Sequence, residues 1–343
     1  MSRLIPSLET FAKGSFATAA GLSTVGFGLL YYGQNYLIYP SAFPPGSRTD
    51  VPVPTDFGLS YEDLNLHTPD GIILRSYLLR QRKELDHHQA GRVETNESQT
   101  DEEFAATRPT ILMFHGNGGN HGHRIPLAKV FYIKMRCNVL MLSYRGYGHS
   151  DGSPSEKGLK LDAQTALDYI TNDSSLSKTP IILYGQSIGG AVAIDLASRN
   201  PSKIRALILE NTFTSLPALI PNALPLLSPF SFLCHQKWES ALKIPLIPRS
   251  TPMLLLSGVR DEVVPREHMQ ALWEVVGRRQ GIKASEADGN DEVKGDGQVG
   301  EGRSKFVEFE NGTHNDTCVQ EGYWTTIAEF VASLGDSASI SRL

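Results

Sequence analysis

From residue 109 onward the chain repeats one pattern: a short, almost continuously apolar run, then a longer stretch with apolar residues at helical spacing. The apolar runs fall at 111–114, 139–143, 181–184, 206–210, 253–257 and 306–309. Strands buried on both faces of a parallel sheet read this way, because no alternate position has to meet water. Helical spacing fills stretches such as 156–170 and 188–199. The alternation predicts βαβ units with right-handed crossovers and a mostly parallel central sheet flanked by helices, an α/β fold. Residues 59–79 read differently. Leu64 and Leu66 alternate with polar residues, Pro69-Asp70-Gly71 makes a turn, and 72–79 is apolar again, so a β-hairpin is expected.

Three stretches interrupt the alternation. Residues 216–252, rich in leucine and proline and then polar, fall where such a sheet carries a short cap over its C-terminal edge. Residues 82–108 are charged or polar, with His87 and His88 adjacent and an acidic run Asp101-Glu102-Glu103. They read as a solvated loop insertion rather than a metal site. Residues 277–305 are glycine-rich and acidic, the composition of a disordered surface insertion.

The N-terminus adds a fourth departure. No charged residue occurs between Gly14 and Ser47, and the apolar stretch 15–32 approaches the roughly 20 residues a spanning helix needs. Arg3 and Lys13 precede it, with Glu9 the one acid among them, so an N-terminus in the cytosol and a domain across the membrane are expected. A cleaved signal peptide is the first rival, but its small-residue pattern at Ala17 to Ala20 precedes most of the apolar run. A buried amphipathic helix is the second. The expected organisation is an anchor at 1–35 and one domain at 36–335. The expected placement is single-pass type II, in an endomembrane, the endoplasmic reticulum or the plasma membrane.

Composition narrows the function. A formal charge of −5 and the lack of any basic stripe argue against a nucleic-acid partner. Cys137, Cys234 and Cys318 are too few and too far apart for a disulfide framework, and lack the paired spacing of a zinc site.

The chemistry is carried by Gly185-Gln186-Ser187-Ile188-Gly189, which follows one apolar run directly and opens a helical run of small residues. A serine on a sharp strand-to-helix turn needs small neighbours two positions to either side, because helix and strand must pack closely there. Its hydroxyl needs a base and an orienting acid, in the chain order serine, acid, histidine. Asp261 follows the run 253–257, with Glu262 its nearest competitor, and His314 follows the run 306–309. Both sit past strand C-termini, where active sites of open α/β sheets lie. The triad is therefore Ser187 as nucleophile, His314 as base and Asp261 as the acid that fixes the imidazole. The glycine-rich turn 115–120 supplies one oxyanion donor, assigned to the Asn117 N–H with Gly116 or Gly118 one residue away. The Ile188 N–H supplies the other. No nucleotide-binding glycine pattern is present, and no metal or organic cofactor is implied.

HGNGGN at 115–120, SYRGYGHSDGSPSE at 143–156, GQSIGGAVAIDLA at 185–197, ENTF at 210–213, SGVRDEVVP at 257–265 and NGTHNDTC at 311–318 resemble the bud-emergence-type family of membrane-anchored α/β-hydrolases. The resemblance runs from Tyr36 to Phe330, interrupted by the two polar insertions, which depart from the compact family pattern. It implies an N-terminal anchor and the same triad at Ser187, Asp261 and His314. It names no substrate. Analogy with hydrolases whose elbow also reads GQSIG points to thioesters. The expected substrate is an acyl ester or thioester, of a lipid or a lipidated protein. A membrane-tethered scaffold that keeps the fold for binding and a serine peptidase are the rivals. Asn96, Asn172, Asn311 and Asn315 each begin an N-x-[ST] pattern, which suits a lumenal domain, although the last two flank His314.

Overall fold

The computed structural model describes residues 8–85, 98–279 and 304–335. In chain order its main elements are α1 (Leu8–Ile38), β1 (Glu62–His67), β2 (Ile73–Leu79), α2 (Asp101–Ala105), β3 (Thr110–Phe114), α3 (Ile125–Ile133), β4 (Asn138–Leu142), α4 (Glu156–Asn172), β5 (Ile181–Gln186) and α5 (Ile188–Arg199). There follow β6 (Ile204–Glu210), α6 (Leu216–Ala223), α7 (Ser240–Lys243), β7 (Met253–Gly258), α8 (Arg266–Arg279), β8 (Lys305–Phe309) and α9 (Tyr323–Ser333). The strands make one sheet in the order β1-β2-β4-β3-β5-β6-β7-β8. The hairpin β1–β2 and its junction with β4 are antiparallel, and every other pairing is parallel.

Every residue of β3, β4 and β5 is buried, as their unbroken apolar runs require. Alternate side chains still separate. Leu112 and Phe114 join the core under α4 and α5, while Ile111 and Met113 join the core under α3 and α9. Two apolar layers thus clamp one sheet, and the C-terminal ends of β3, β5, β6, β7 and β8 are left to carry loops.

A buried ion pair ties the hairpin to the parallel sheet. The Arg145 Nε and backbone N–H each donate to Asp162 of α4 at 2.8 Å, and its two terminal nitrogens grip Asp70 in the hairpin turn at 2.7 and 3.0 Å. Burial pushes the Asp162 carboxyl up to about 6 despite the guanidinium. The Arg145 side chain, which donates to both oxygens, holds Asp70 well below the usual carboxylate range. Replacing Arg145 with methionine leaves the fully buried Asp162 without its partner. The expected loss is about 3–5 kcal/mol of stability, read by urea unfolding. Asp70→Asn, at the exposed side of the pair, is expected to cost less than half as much.

Two expectations need correction. The polar stretch 82–108 is not all solvated loop, since 101–105 form α2. The Thr100 hydroxyl accepts the Glu103 N–H at 3.2 Å, and the Glu103 carboxylate accepts the Thr100 N–H at 2.8 Å. The acidic run is thus a helix start, where backbone dipoles favour negative charge. Phe104 is buried there, under the Arg136 guanidinium. Residues 86–97, including His87, His88 and Asn96, lie outside the described residues. In the stretch 277–305, residues 277–279 complete α8 and Lys305 begins β8, while 280–303 lie outside the described residues.

The second correction concerns the anchor. Its 15–32 stretch is helical, but α1 runs on through Ile38, past the expected boundary at 35. Among the described residues no helix is long and apolar enough to cross a membrane. Length is not what α1 lacks, at 31 residues. Gly14, Gly21, Gly26, Gly28 and Gly33, with several hydroxyl side chains, dilute its apolarity. Its two halves differ. Residues 9–25 are exposed throughout, whereas Gln34 is buried and Leu30 and Ile38 are half-buried against the domain.

Candidate active site

Ser187 stands alone between the last residue of β5 and the first of α5, with φ 55° and ψ −121°. A non-glycine residue held at positive φ costs of order 1–3 kcal/mol, and surrounding contacts must over-determine it. They do. The Ser187 N–H donates to the Glu210 carbonyl at 2.9 Å, and its own carbonyl accepts the Gly190 N–H at 3.0 Å and the Thr212 hydroxyl at 2.7 Å. A Cβ at Gly185 would lie 2.2 Å from the Gly189 carbonyl oxygen, and one at Gly189 would lie 2.1 Å from that of Phe114. The glycines flanking the elbow are therefore places where backbone touches backbone.

Asp261 and His314 rise from the loops after β7 and β8. The Asp261 Oδ2 accepts the His314 Nδ1–H at 2.8 Å, and its Oδ1 accepts the Val263 and Val264 N–H groups at 2.8 and 2.7 Å. The acid is thus oriented by its own loop and fixes the tautomer that leaves Nε2 free to accept a proton. Glu262, the competing acid, reaches the His314 backbone instead, accepting its N–H at 3.3 Å. Ser187, Asp261 and His314 are all buried. Ser187 and His314 line one cavity of about 510 Å³, without a hydrogen bond between hydroxyl and imidazole. Such contacts commonly tighten only when substrate arrives.

Three supporting residues lay beyond the reading of motifs. The Asn211 amide donates to the Thr313 and His314 carbonyls at 3.2 and 3.3 Å, and its oxygen accepts the Gly258 N–H at 2.8 Å. It therefore clamps the end of the acid's strand to the loop of the base. The Gln186 amide donates to the His314 carbonyl at 3.2 Å and to Glu210 at 3.3 Å. Glu210 is fully buried, its pKa raised by that burial, and it also takes the hydroxyls of Tyr184 and Tyr323. The signal for this layer was ENTF at 210–213, which carried no chemical role when read alone.

The glycine-rich turn follows β3 and faces the elbow. His115 is no rival base. Burial pushes its pKa down to about 3, and its Nδ1 bonds the Gly116 carbonyl at 2.7 Å. The turn is held from outside by the connector after α1. The Gly119 N–H donates to the Phe43 carbonyl at 2.9 Å, and the Asn120 amide to those of Ser47 and Asp50 at 3.1 Å each. The Asn117 side chain accepts the Tyr147 hydroxyl at 2.6 Å and donates to the carbonyl of Ile38, the last residue of α1. Asn117 and Ile188 both line the Ser187 cavity. As the first residue of α5, Ile188 has no intrahelical acceptor for its N–H.

The remaining wall of that cavity is apolar. Leu37 and Ile38 come from the end of α1, and Leu216, Leu219 and Ile220 from α6, the first part of the stretch 216–252. Just past α1, the Tyr39 hydroxyl ties the chain to the segment before α7, accepting from the Trp238 indole at 2.8 Å and donating to Gln236 at 3.1 Å. Asn315 lines the cavity as well, where a glycan would fill it. Two cavities of about 890 and 620 Å³ lie elsewhere, and neither sets a hydroxyl or thiol beside a histidine.

Residues 109–233 match the family model described as the alpha/beta hydrolase fold. The chain is 43% identical over 321 residues to protein bem46 of Schizosaccharomyces pombe, covering 93% of each. It is 37% identical over 314 residues to the membrane protein YNL320W of Saccharomyces cerevisiae, covering 92% of this chain and 94% of that one. Among solved structures, an alpha-beta hydrolase from Vibrio vulnificus superposes with a TM-score of 0.62 at 19% identity, covering 88% of this chain and 93% of that one.

Proposed function

Since the chain belongs to the α/β-hydrolases of the bem46 type, we propose that it is a membrane-tethered serine hydrolase that cleaves acyl esters or thioesters. The observation that carries this reading is the Asp261–His314 bond at 2.8 Å, opening onto the cavity where Ser187 sits on its strained turn. His314 Nε2 takes the Ser187 proton as Oγ attacks the acyl carbonyl. The Asn117 and Ile188 N–H groups receive the developing oxyanion, a contribution of about 10²–10³ per donor in enzymes of this design. His314 then protonates the departing alcohol or thiol, leaving an acyl-Ser187 ester. Water, deprotonated by the same imidazole, attacks that ester and restores the hydroxyl.

Two features favour acyl groups over peptides. The wall facing Ser187 is leucine and isoleucine from α1 and α6, and the fixed charge in the lining, Arg124, lies with the glycine-rich turn and not on that wall. A panel of p-nitrophenyl esters, acyl thioesters and aminoacyl amides tests the reading. Turnover of esters or thioesters is expected, and turnover of the amides alone would replace it with a peptidase.

The tether reading rests on the outward half of α1. Phe11, Phe16, Leu22 and Val25 are each 60–77% exposed, a face suited to lipid. The Thr18 and Thr24 hydroxyls bond back to the Gly14 and Ala20 carbonyls at 2.9 Å, which removes two polar groups from the helix surface. The yeast relative's name as a membrane protein agrees. The protein is expected to stay with membranes through alkaline carbonate extraction, and its domain to resist protease in sealed microsomes until detergent is added. Digestion without detergent would reverse the type II orientation.

A further inference from the structure

Beside the Ser187 cavity lies a second, narrow space of about 60 Å³ between the C-terminal half of α1 and the cap. The two are continuous in their lining, because Leu37, Ile38, Ile220 and Leu224 face both. The narrow space is otherwise closed by Leu30 on one side and by Leu227, Phe230 and Leu233 on the other. Phe230 packs edge-on against Phe27 of α1, with ring centres 5.6 Å apart.

Its polar members offer nothing to a polar ligand. The Gln34 amide nitrogen donates to the Tyr31 and Leu233 carbonyls at 2.9 and 3.3 Å, and its oxygen accepts the His235 and Gln236 N–H groups at 2.9 and 3.4 Å. The Cys234 thiol is turned to the Gln236 carbonyl at 3.1 Å. Only hydrocarbon therefore matches the lining. A slot this narrow is widened least by an unbranched chain and more by a ring or a branched body, and the lining it shares with the Ser187 cavity sets an occupant beside the molecule attacked by Ser187.

We propose that this space takes the acyl tail of the substrate, so that α1 and the cap together select long, unbranched acyl chains. This rests on the serine acyl hydrolase reading. The acyl carbonyl lies at Ser187, the first methylenes run along Ile38 and Ile220, and the remainder lies between Leu30 and Leu227. The space as it stands is narrower than a long chain needs, and the cap is the side that gives. Residues Pro225–Leu233 include no buried residue, so displacing them breaks few apolar contacts. Long-chain substrates thus lift the cap from α1, and short ones need not.

The test uses the full chain in phosphatidylcholine nanodiscs and two probes that modify the same serine, hexadecyl and ethyl fluorophosphonate. Its readout is the ratio of their inactivation rate constants. Leu30→Trp and Leu227→Trp fill the narrow space from either side, and each is expected to lower the hexadecyl-to-ethyl ratio by about tenfold or more, the scale of a lost hydrocarbon contact or two. Leu226→Trp, at a site 92% exposed and outside the lining, is expected to keep the wild-type ratio. It controls for partition of the long probe into lipid. Circular dichroism establishes folding, and Leu30→Phe and Leu227→Phe replace any tryptophan variant that does not fold. An unchanged ratio in folded variants on both sides overturns the acyl site while the hydrolase reading stands, as does an equal fall in Leu226→Trp. Failure of both probes to modify wild-type Ser187 overturns the hydrolase reading, and the acyl site with it, whereas failure of the hexadecyl probe alone overturns only the acyl site.

Discussion

Ser187→Ala is expected to abolish labelling by a fluorophosphonate and to lower kcat for acyl ester hydrolysis by about 10⁴- to 10⁶-fold. The oxyanion donors and the apolar wall remain, so substrate binding changes far less than turnover, and KM is the control. The structure also predicts that the variant folds. The contacts fixing the turn run through the Ser187 backbone, its N–H to Glu210 and its carbonyl to Gly190 and Thr212. Its hydroxyl, which forms no hydrogen bond to His314, contributes little to them. Thermal unfolding should therefore match wild type within the usual ±0.5 kcal/mol of a neutral substitution. Equal labelling of both proteins would sink the nucleophile assignment. A folded wild type that no probe labels would leave a binding scaffold on a hydrolase fold.

Asp261→Asn is the second large effect, expected at about 10⁴-fold in kcat. The side chain is gripped on one oxygen by the Val263 and Val264 N–H groups. Asparagine keeps its carbonyl oxygen there and turns its NH₂ toward His314 Nδ1. That nitrogen must then accept rather than donate, and the proton moves to Nε2, the atom that should take the Ser187 proton. Geometry survives and the base is lost. Glu262→Gln is the companion variant. Its carboxylate accepts the His314 backbone N–H rather than the imidazole, so a loss under tenfold is expected. The reverse outcome, a crippled Glu262→Gln beside an active Asp261→Asn, would exchange the roles of the two acids.

The proposed chemistry has a local signal in the sequence, since Ser187, Asp261 and His314 each follow a short apolar run, and the structure brings the last two into hydrogen-bond contact. The parallel strands were legible for the same reason, since burial on both faces leaves runs such as 111–114 and 181–184 without polar breaks. What escaped the sequence was pairing at a distance. Asn211 reaches the His314 carbonyl across 103 positions, and Gln186 reaches it across 128. Neither spacing leaves a periodic trace. The helix α2 was missed for a different reason. Its acidic first turn resembles solvated loop in composition, and only the Thr100 and Glu103 pairing marks it as a helix start. The end of α1 gave no separate signal either, because Leu37 and Ile38 look like the apolar residues of an anchor and only the fold sets them in the lining of the Ser187 cavity.

That double use has a consequence for how the protein is handled. The last carbonyl of α1 holds the Asn117 side chain, Gln34 holds the backbone at Leu233 and His235, and Leu37 and Ile38 face Ser187. On the proposed function, cutting the helix away to gain solubility would remove a wall of the site along with the proposed tether. A fragment starting at Tyr39 would keep Ser187, Asp261 and His314 but lose the contacts of α1 with the glycine-rich turn and with Leu233 and His235, and on the proposed reading it turns over more slowly. Weak turnover from such a fragment would report on the cut, and the native rate belongs to the chain with its helix in place.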